Sequence, residues 1–228
     1  MPRLDRYLSS LLDINRKDVR LMLAQGRVEV DGAKATNIGQ VITAFSQVCC
    51  DGQTAQANKA RYLMLHKPTG VVSATRHEQH RTVIDLLHQP YRDQLHIVGR
   101  LDLNSTGLIL LTNNGQWSRQ LSLPTSKLEK RYRVTVEQPI TQQYVDAFEN
   151  GVYFAYENIT TRPATLNIRS DYEAEVVLTE GRYHQIKRMF GHFDNKVLSI
   201  HRFAVGKILL DKSLAPGQSR ELTAQELN

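Results

Sequence analysis

The stretch Val98-Gly-Arg-Leu-Asp-Leu-Asn-Ser-Thr-Gly-Leu108 sets a single acid, Asp102, between two glycines and directly ahead of the apolar run 108–111, which has the length of a buried strand. A carboxylate in such a turn has two uses. It can close the turn through local backbone bonds, or it can be presented at a strand end as a reactive group.

From Arg61 onward, short strands and helices follow one another without a regular strand-helix-strand cadence. That predicts an α+β fold, a mixed, mainly antiparallel sheet with helices beside it. Residues 62–65 and 71–74 flank a turn at Lys67-Pro-Thr-Gly70, and 131–137 and 173–179 alternate with period two; all four are predicted strands. Residues 82–88, 116–123, 141–150 and 182–192 are predicted helices. In the last of these, Tyr183, Ile186 and Phe190 form an inward stripe, with Ile186 a candidate pocket wall, and Lys187 falls inside the stripe. A lysine there either snorkels outward along its stem or is held by an opposite charge, because burying an unpaired ammonium is costly. Asp102 is the candidate partner.

The string around Asp102 resembles the G-R-L-D-x-x-T-T-G-L signature of pseudouridine synthases of the RsuA type, with Ser105 keeping a hydroxyl where a threonine usually stands. Glu180-Gly-Arg-Tyr-His-Gln-Ile-Lys-Arg-Met-Phe190 resembles the family segment that packs on the catalytic aspartate and presents a basic residue to it, a role the resemblance carries onto Lys187. Lys130-Arg-Tyr132 resembles the family's K-x-Y element, whose tyrosine lies against the target base. Together with Lys67-Pro68, these motifs align with the family across residues 61–228, the expected catalytic domain.

The resemblance implies conversion of a uridine in RNA to pseudouridine, with Asp102, Tyr132 and Lys187 as catalytic residues. The uracil leaves C1′ through N1, turns, and rejoins it through C5, so the composition is unchanged and no cofactor or metal is called for. Asp102 would attack C1′ or take a proton from C2′. Either route needs an anion, which a nearby ammonium favours. The base must leave its stack, so contacts to flanking RNA must offset the unstacking cost. Arg100, Arg182 and Arg188 are the candidates, with surface ion pairing as their other use.

Residues 1–52 form a separate pattern. Leu4, Tyr7, Leu8, Leu11 and Leu12 follow a helical stripe; a second helix starts at Asn15 and Asp18, with Val19, Met22 and Leu23 inward and Gly26 as its stop. Val28 and Val30 alternate with charges, and Asp31-Gly32 signals a hairpin toward Val41-Ile42 and residues 48–50. Arg3-Leu-Asp5-Arg6 and Gln25-Gly-Arg-Val-Glu-Val30 resemble the S4 RNA-binding domain. Arg16, Lys17 and Arg20 cluster on the outer side of the second helix, as either a solvated face or a phosphate-contacting surface. Residues 53–60 have no bulky apolar side chain and are the expected linker.

The net charge of +6 favours a polyanionic partner. Cys49 and Cys50 are the only cysteines; being adjacent they do not form an ordinary disulfide, which suits the reducing cytoplasm. No signal-peptide pattern or membrane-length apolar run occurs, so no membrane partner is expected. His77-Glu-Gln-His80 is one residue short of the H-E-x-x-H zinc motif, and neither phosphate-loop nor dinucleotide-binding glycine patterns occur. The expected substrate is small-subunit (16S) ribosomal RNA, free or in a partly assembled particle, and the expected state is a monomer. Large-subunit synthases more often show Asn-Arg in place of Tyr183-His184 and arginine in place of Lys187. A synthase for large-subunit (23S) RNA and a noncatalytic ribosome-assembly factor are the alternatives.

Overall fold

Asn15 sits in extended backbone and accepts hydrogen bonds from the amides of Lys17 and Asp18, which satisfies two donors that a helix start leaves unpaired. It begins the second helix of the N-terminal unit in the computed structural model, which describes residues 2–227 and divides into Met1–Ala60 and Arg61–Asn228. Here α1 (Leu4–Leu12) and α2 (Arg16–Ala24) precede β1 (Val28–Val30), β2 (Ala33–Lys34), β3 (Val48–Cys50) and β4 (Gln53–Gln56), an antiparallel sheet in the order β2-β1-β3-β4. Leu4, Leu8, Val19, Met22 and Leu23 pack with Val28, Val30, Ile42 and Val48 into one apolar core, while Leu11 and Leu12 stay exposed.

Two expectations need correction in this unit. The hairpin at Asp31 and Gly32, both at positive φ, delivers the chain to β2, while β3 pairs with the opposite edge of β1. The first half of the expected linker is strand β4: its backbone completes the edge of β3 although its side chains carry no bulky apolar group.

The second unit comprises β5 (Tyr62–Lys67), β6 (His96–Val98), β7 (Thr106–Thr112), α3 (Gly115–Ser122), β8 (Lys130–Val136), α4 (Gln142–Asn150), β9 (Tyr153–Phe154), β10 (Ile159–Thr160), β11 (Thr165–Ser170), β12 (Glu173–Leu178), α5 (Gln185–Gly191), β13 (Val197–Val205), β14 (Ile208–Leu209), β15 (Ser219–Glu221) and α6 (Ala224–Leu227). Nine of the strands form one sheet along the path β11-β12-β8-β13-β7-β5-β15, with β14 beside β13 and β6 beside β7. Among the described strands of this sheet, β13 and β7 are the one parallel pair; the fold is α+β with a mainly antiparallel sheet.

Strand β7 explains why the run after Asp102 is apolar throughout. Ile109 and Leu111 face one core with Val134, Val176, Met189 and Phe190, and Leu108 and Leu110 face a second with Met64, Val205 and Ile208. A strand covered on both faces shows no alternation. Each such leucine contributes roughly 1.5–3 kcal/mol by leaving water.

Three expected elements differ. Residues 71–74 make only an isolated bridge, Val72 to Thr82. Residues 82–88 form a turn, not a helix: Thr82 donates from its amide (2.8 Å) and hydroxyl (2.9 Å) to Asp85, while the bridge to Val72 holds Thr82 extended. Finally, α5 begins at Gln185 and not near Arg182, because His184 is left-handed (φ 48°). Tyr183 therefore lies outside the inward stripe and is exposed.

Candidate active site

Asp102 sits in the turn between β6 and β7, and four sets of contacts fix its backbone. Ser73 Oγ donates to the Leu101 carbonyl (2.7 Å) and accepts from the Leu101 amide (3.0 Å). The Ser105 amide donates to the carbonyl of Asp102 itself (3.1 Å). Lys67, fully buried at the end of β5, donates from Nζ to the carbonyls of Pro68 (3.1 Å), Leu103 (3.0 Å) and Ser105 (2.7 Å). Burial lowers its pKa to about 8, while the Asp102 charge pulls the other way. Arg202, also fully buried, donates to the carbonyls of Leu108 (2.9 Å), Gly99 (2.8 Å) and Arg100 (3.4 Å). Carbonyl dipoles from the Asp102 turn thus surround two buried cations.

Arg202 reaches these groups because β13 runs against Gly107. A Cβ at Gly107, whose φ is +107°, would lie 2.1 Å from the Arg202 carbonyl oxygen. The second glycine of the opening string is therefore a packing requirement between parallel strands.

The carboxylate faces the start of α5. Its Oδ2 lies 3.4 Å from Lys187 Nζ and 3.5 Å from His184 Nε2, with the Asp102 side chain about one-third exposed. Left-handed backbone at a residue with a bulky side chain costs about 1–2 kcal/mol, and a braced turn holds it. Buried Glu180 accepts from the Arg162 amide (3.0 Å), Arg182 Nε (3.0 Å) and Gln185 Nε2 (2.8 Å), and the Arg182 amide donates to Gln185 Oε1 (3.0 Å).

These groups surround a cavity of about 560 Å³, within the size range of ligand sites. Asp102, Tyr132, Arg100, Arg182, His184 and Ile186 all line it, joined by Lys130, Arg162, Glu180 and Arg202. Tyr132, on β8 opposite Arg202, is buried. Lys130 donates to the Leu128 carbonyl (3.2 Å), and burial, followed by the Arg202 charge, pushes its pKa below the ordinary lysine range.

The structure thus brings Asp102, Tyr132, Lys187, Ile186, Arg100 and Arg182 together. Arg188 is elsewhere: it makes a two-pronged ion pair with Glu157 and lies over the Phe154 ring, 3.7 Å from its centroid. Arg16, Lys17 and Arg20 are exposed on α2 of the N-terminal unit. At 77–80, His77 Nδ1 accepts from the amides of Gln79 (3.2 Å) and His80 (3.1 Å), a turn. His184, Arg202, Ser73 and Glu180 were not singled out by sequence. Arg202 carried a signal, a lone arginine within the mainly apolar run 197–205; the others depend on long-range contacts.

The mixed sheet thus carries a cation-flanked aspartate at a basic-rimmed cavity. The chain belongs to the RNA pseudouridylate synthase family, whose model matches residues 61–192, and is an isomerase. Its relatives are of the RsuA type: it is 52% identical to the ribosomal small subunit pseudouridine synthase A of Pseudomonas aeruginosa, over 99% of this chain and 98% of that protein. It is 38% identical to the protein of that name from Escherichia coli (strain K12), over 99% and 98%. A crystal structure of a pseudouridylate synthase superposes with a TM-score of 0.72 at 33% identity, covering 100% of this chain and 98% of that one.

Proposed function

We propose that this chain converts one uridine of small-subunit (16S) ribosomal RNA to pseudouridine, with Asp102 as the reacting carboxylate. The observation that carries this reading is Asp102 Oδ2 within 3.4 Å of Lys187 Nζ at the wall of a cavity that Tyr132 also lines. The reaction breaks the N1–C1′ bond, turns the uracil and forms the C5–C1′ bond, after which C5 loses its proton and N1 carries one in place of the sugar. Attack at C1′ and proton removal at C2′ are both reactions of a carboxylate, and that of Asp102 lies beside the Lys187 ammonium. Tyr132 supports the uracil ring, and Ile186 forms apolar wall beside it. Arg100 and Arg182, both exposed at the rim, meet phosphates of the flipped strand.

The small-subunit target is supported by full-length similarity to proteins named for it. The N-terminal unit, two helices on a small sheet, acts as an S4-like RNA-binding module whose Arg16, Lys17 and Arg20 contact phosphates. The enzyme works as a monomer in the cytoplasm, on free RNA or on a partly assembled particle, and uses no cofactor or metal because the isomerisation changes neither oxidation state nor composition.

The test incubates the protein and Asp102→Ala separately with unmodified small-subunit and large-subunit ribosomal RNA and maps new pseudouridines by chemical labelling and primer extension. One new small-subunit position, absent with the variant, is the expected result. Product on large-subunit RNA alone would overturn the substrate, and product with the variant would overturn the role of Asp102.

A further inference from the structure

The rings of Tyr183 and His184 stack in parallel, with centroids 3.9 Å apart and planes 20° from one another, and both residues line the cavity. Their surroundings differ. His184 is partly buried, its Nε2 3.5 Å from the Asp102 carboxylate, whereas Tyr183 is 72% exposed. The stack therefore runs outward from the reacting carboxylate, through an imidazole, to a phenol ring that meets solvent. Its base is rigid, because Gln185 and Glu180 brace the turn that carries both rings. Tyr183 thus stands at the rim of a basic cavity with one face on His184 and most of its ring in water, open to a ligand that enters there. The ring does suit a nucleobase: any base presents a π-face to an aromatic side chain, and Arg100 and Arg182 on the same rim suit the adjoining phosphates.

We propose that the Tyr183–His184 pair is a nucleobase platform: the base next to the target uridine lies on Tyr183, and His184 beneath it is a positioning residue that ties the register of the RNA to the orientation of Asp102. This rests on the RNA-modifying reading above and adds a contact that the isomerisation does not itself require.

The experiment uses an RNA fragment containing the modified uridine, with each flanking nucleotide in turn replaced by an abasic residue. Binding and single-turnover rates are measured for the full chain and for Tyr183→Phe, Tyr183→Leu and His184→Gln. With the unaltered protein, one abasic position weakens binding about tenfold, the scale of one base-aromatic stack. Tyr183→Phe keeps that penalty. Tyr183→Leu binds intact RNA about tenfold more weakly and loses nothing further at that position. His184→Gln keeps its RNA affinity but slows the saturating rate by roughly tenfold or more, as misplacement of a reacting group does. Penalties for Tyr183→Leu and the abasic sites that simply add at every position would overturn the platform, and an unchanged saturating rate in His184→Gln would overturn the positioning role. If the unaltered protein forms no product on either ribosomal RNA, the RNA-modifying reading fails and the platform with it.

Discussion

Asp102 is held by its backbone and addressed at its tip by the Lys187 ammonium, and these two supports fail differently. Lys187→Met removes one charge without touching the turn, so the saturating rate should fall about a hundredfold, the scale of one preorganised electrostatic contact, while the melting temperature changes little. Lys187→Arg should restore part of the rate; rapid-quench kinetics would read both. Lys67→Met strips the donor from three carbonyls and should destabilise the fold by roughly 1–3 kcal/mol at pH 7 in denaturant titrations. The pH dependence has a definite sign. The folded-state pKa of Lys67 is about 8 against an ordinary 10.5, so within that window the unfolded chain binds the extra proton and the contribution of Lys67 to stability rises with pH. The difference between the unaltered protein and Lys67→Met should therefore widen above pH 8; a constant difference would mean that folding leaves the Lys67 pKa at its ordinary value. Asp102 and Lys187 could be matched from sequence because the lysine falls among apolar residues of a predicted helix and the family resemblance sets a basic residue there against the aspartate. His184 could not, since its approach to Asp102 depends on one left-handed residue that starts α5 later than periodicity suggests.

The parallel contact of β13 with β7 holds the site's elements together, since through it Arg202 reaches the carbonyls of the Asp102 turn. Gly107→Ala should cost about 3 kcal/mol or more, combining backbone strain with a forced separation of the strands, measurable as a shift in the denaturation midpoint. A midpoint shift below about 0.5 kcal/mol, the level of an ordinary surface substitution, would contradict that packing. By contrast, Arg188→Ala removes a partly exposed ion pair at the β9–β10 hairpin and should change stability by about 1 kcal/mol or less. Strands β5, β7, β8 and β12 were legible because an apolar run or strict alternation marks them. The turn at 82–88 was not: Val83, Ile84, Leu86 and Leu87 are all buried, and such a cluster suits a packed turn as well as a helix.

At the scale of the whole molecule, the division at residue 60 separates the unit proposed to carry the chemistry from the one proposed to grip RNA. The segment 61–228 alone should keep most of the saturating rate on a short RNA fragment while binding it more weakly. Exchanging Arg16, Lys17 and Arg20 for glutamate in the full chain should lower the salt dependence of binding by about one to three counterions. The α+β class and the two-part organisation were visible in the patterning, whereas strand β4 was not, because an edge strand can be built from polar residues when its backbone is the contribution. The central claim is that a carboxylate at Asp102 drives the isomerisation, and release of tritium from ribosomal RNA labelled at uridine C5 tests it most directly, since that hydrogen leaves only after C5 has joined C1′. The unaltered protein should release the label from its target uridine, and Asp102→Asn, with an unchanged melting temperature and RNA affinity, should be slower by roughly 10⁴-fold or more. Release by Asp102→Asn at the unaltered rate would contradict the account.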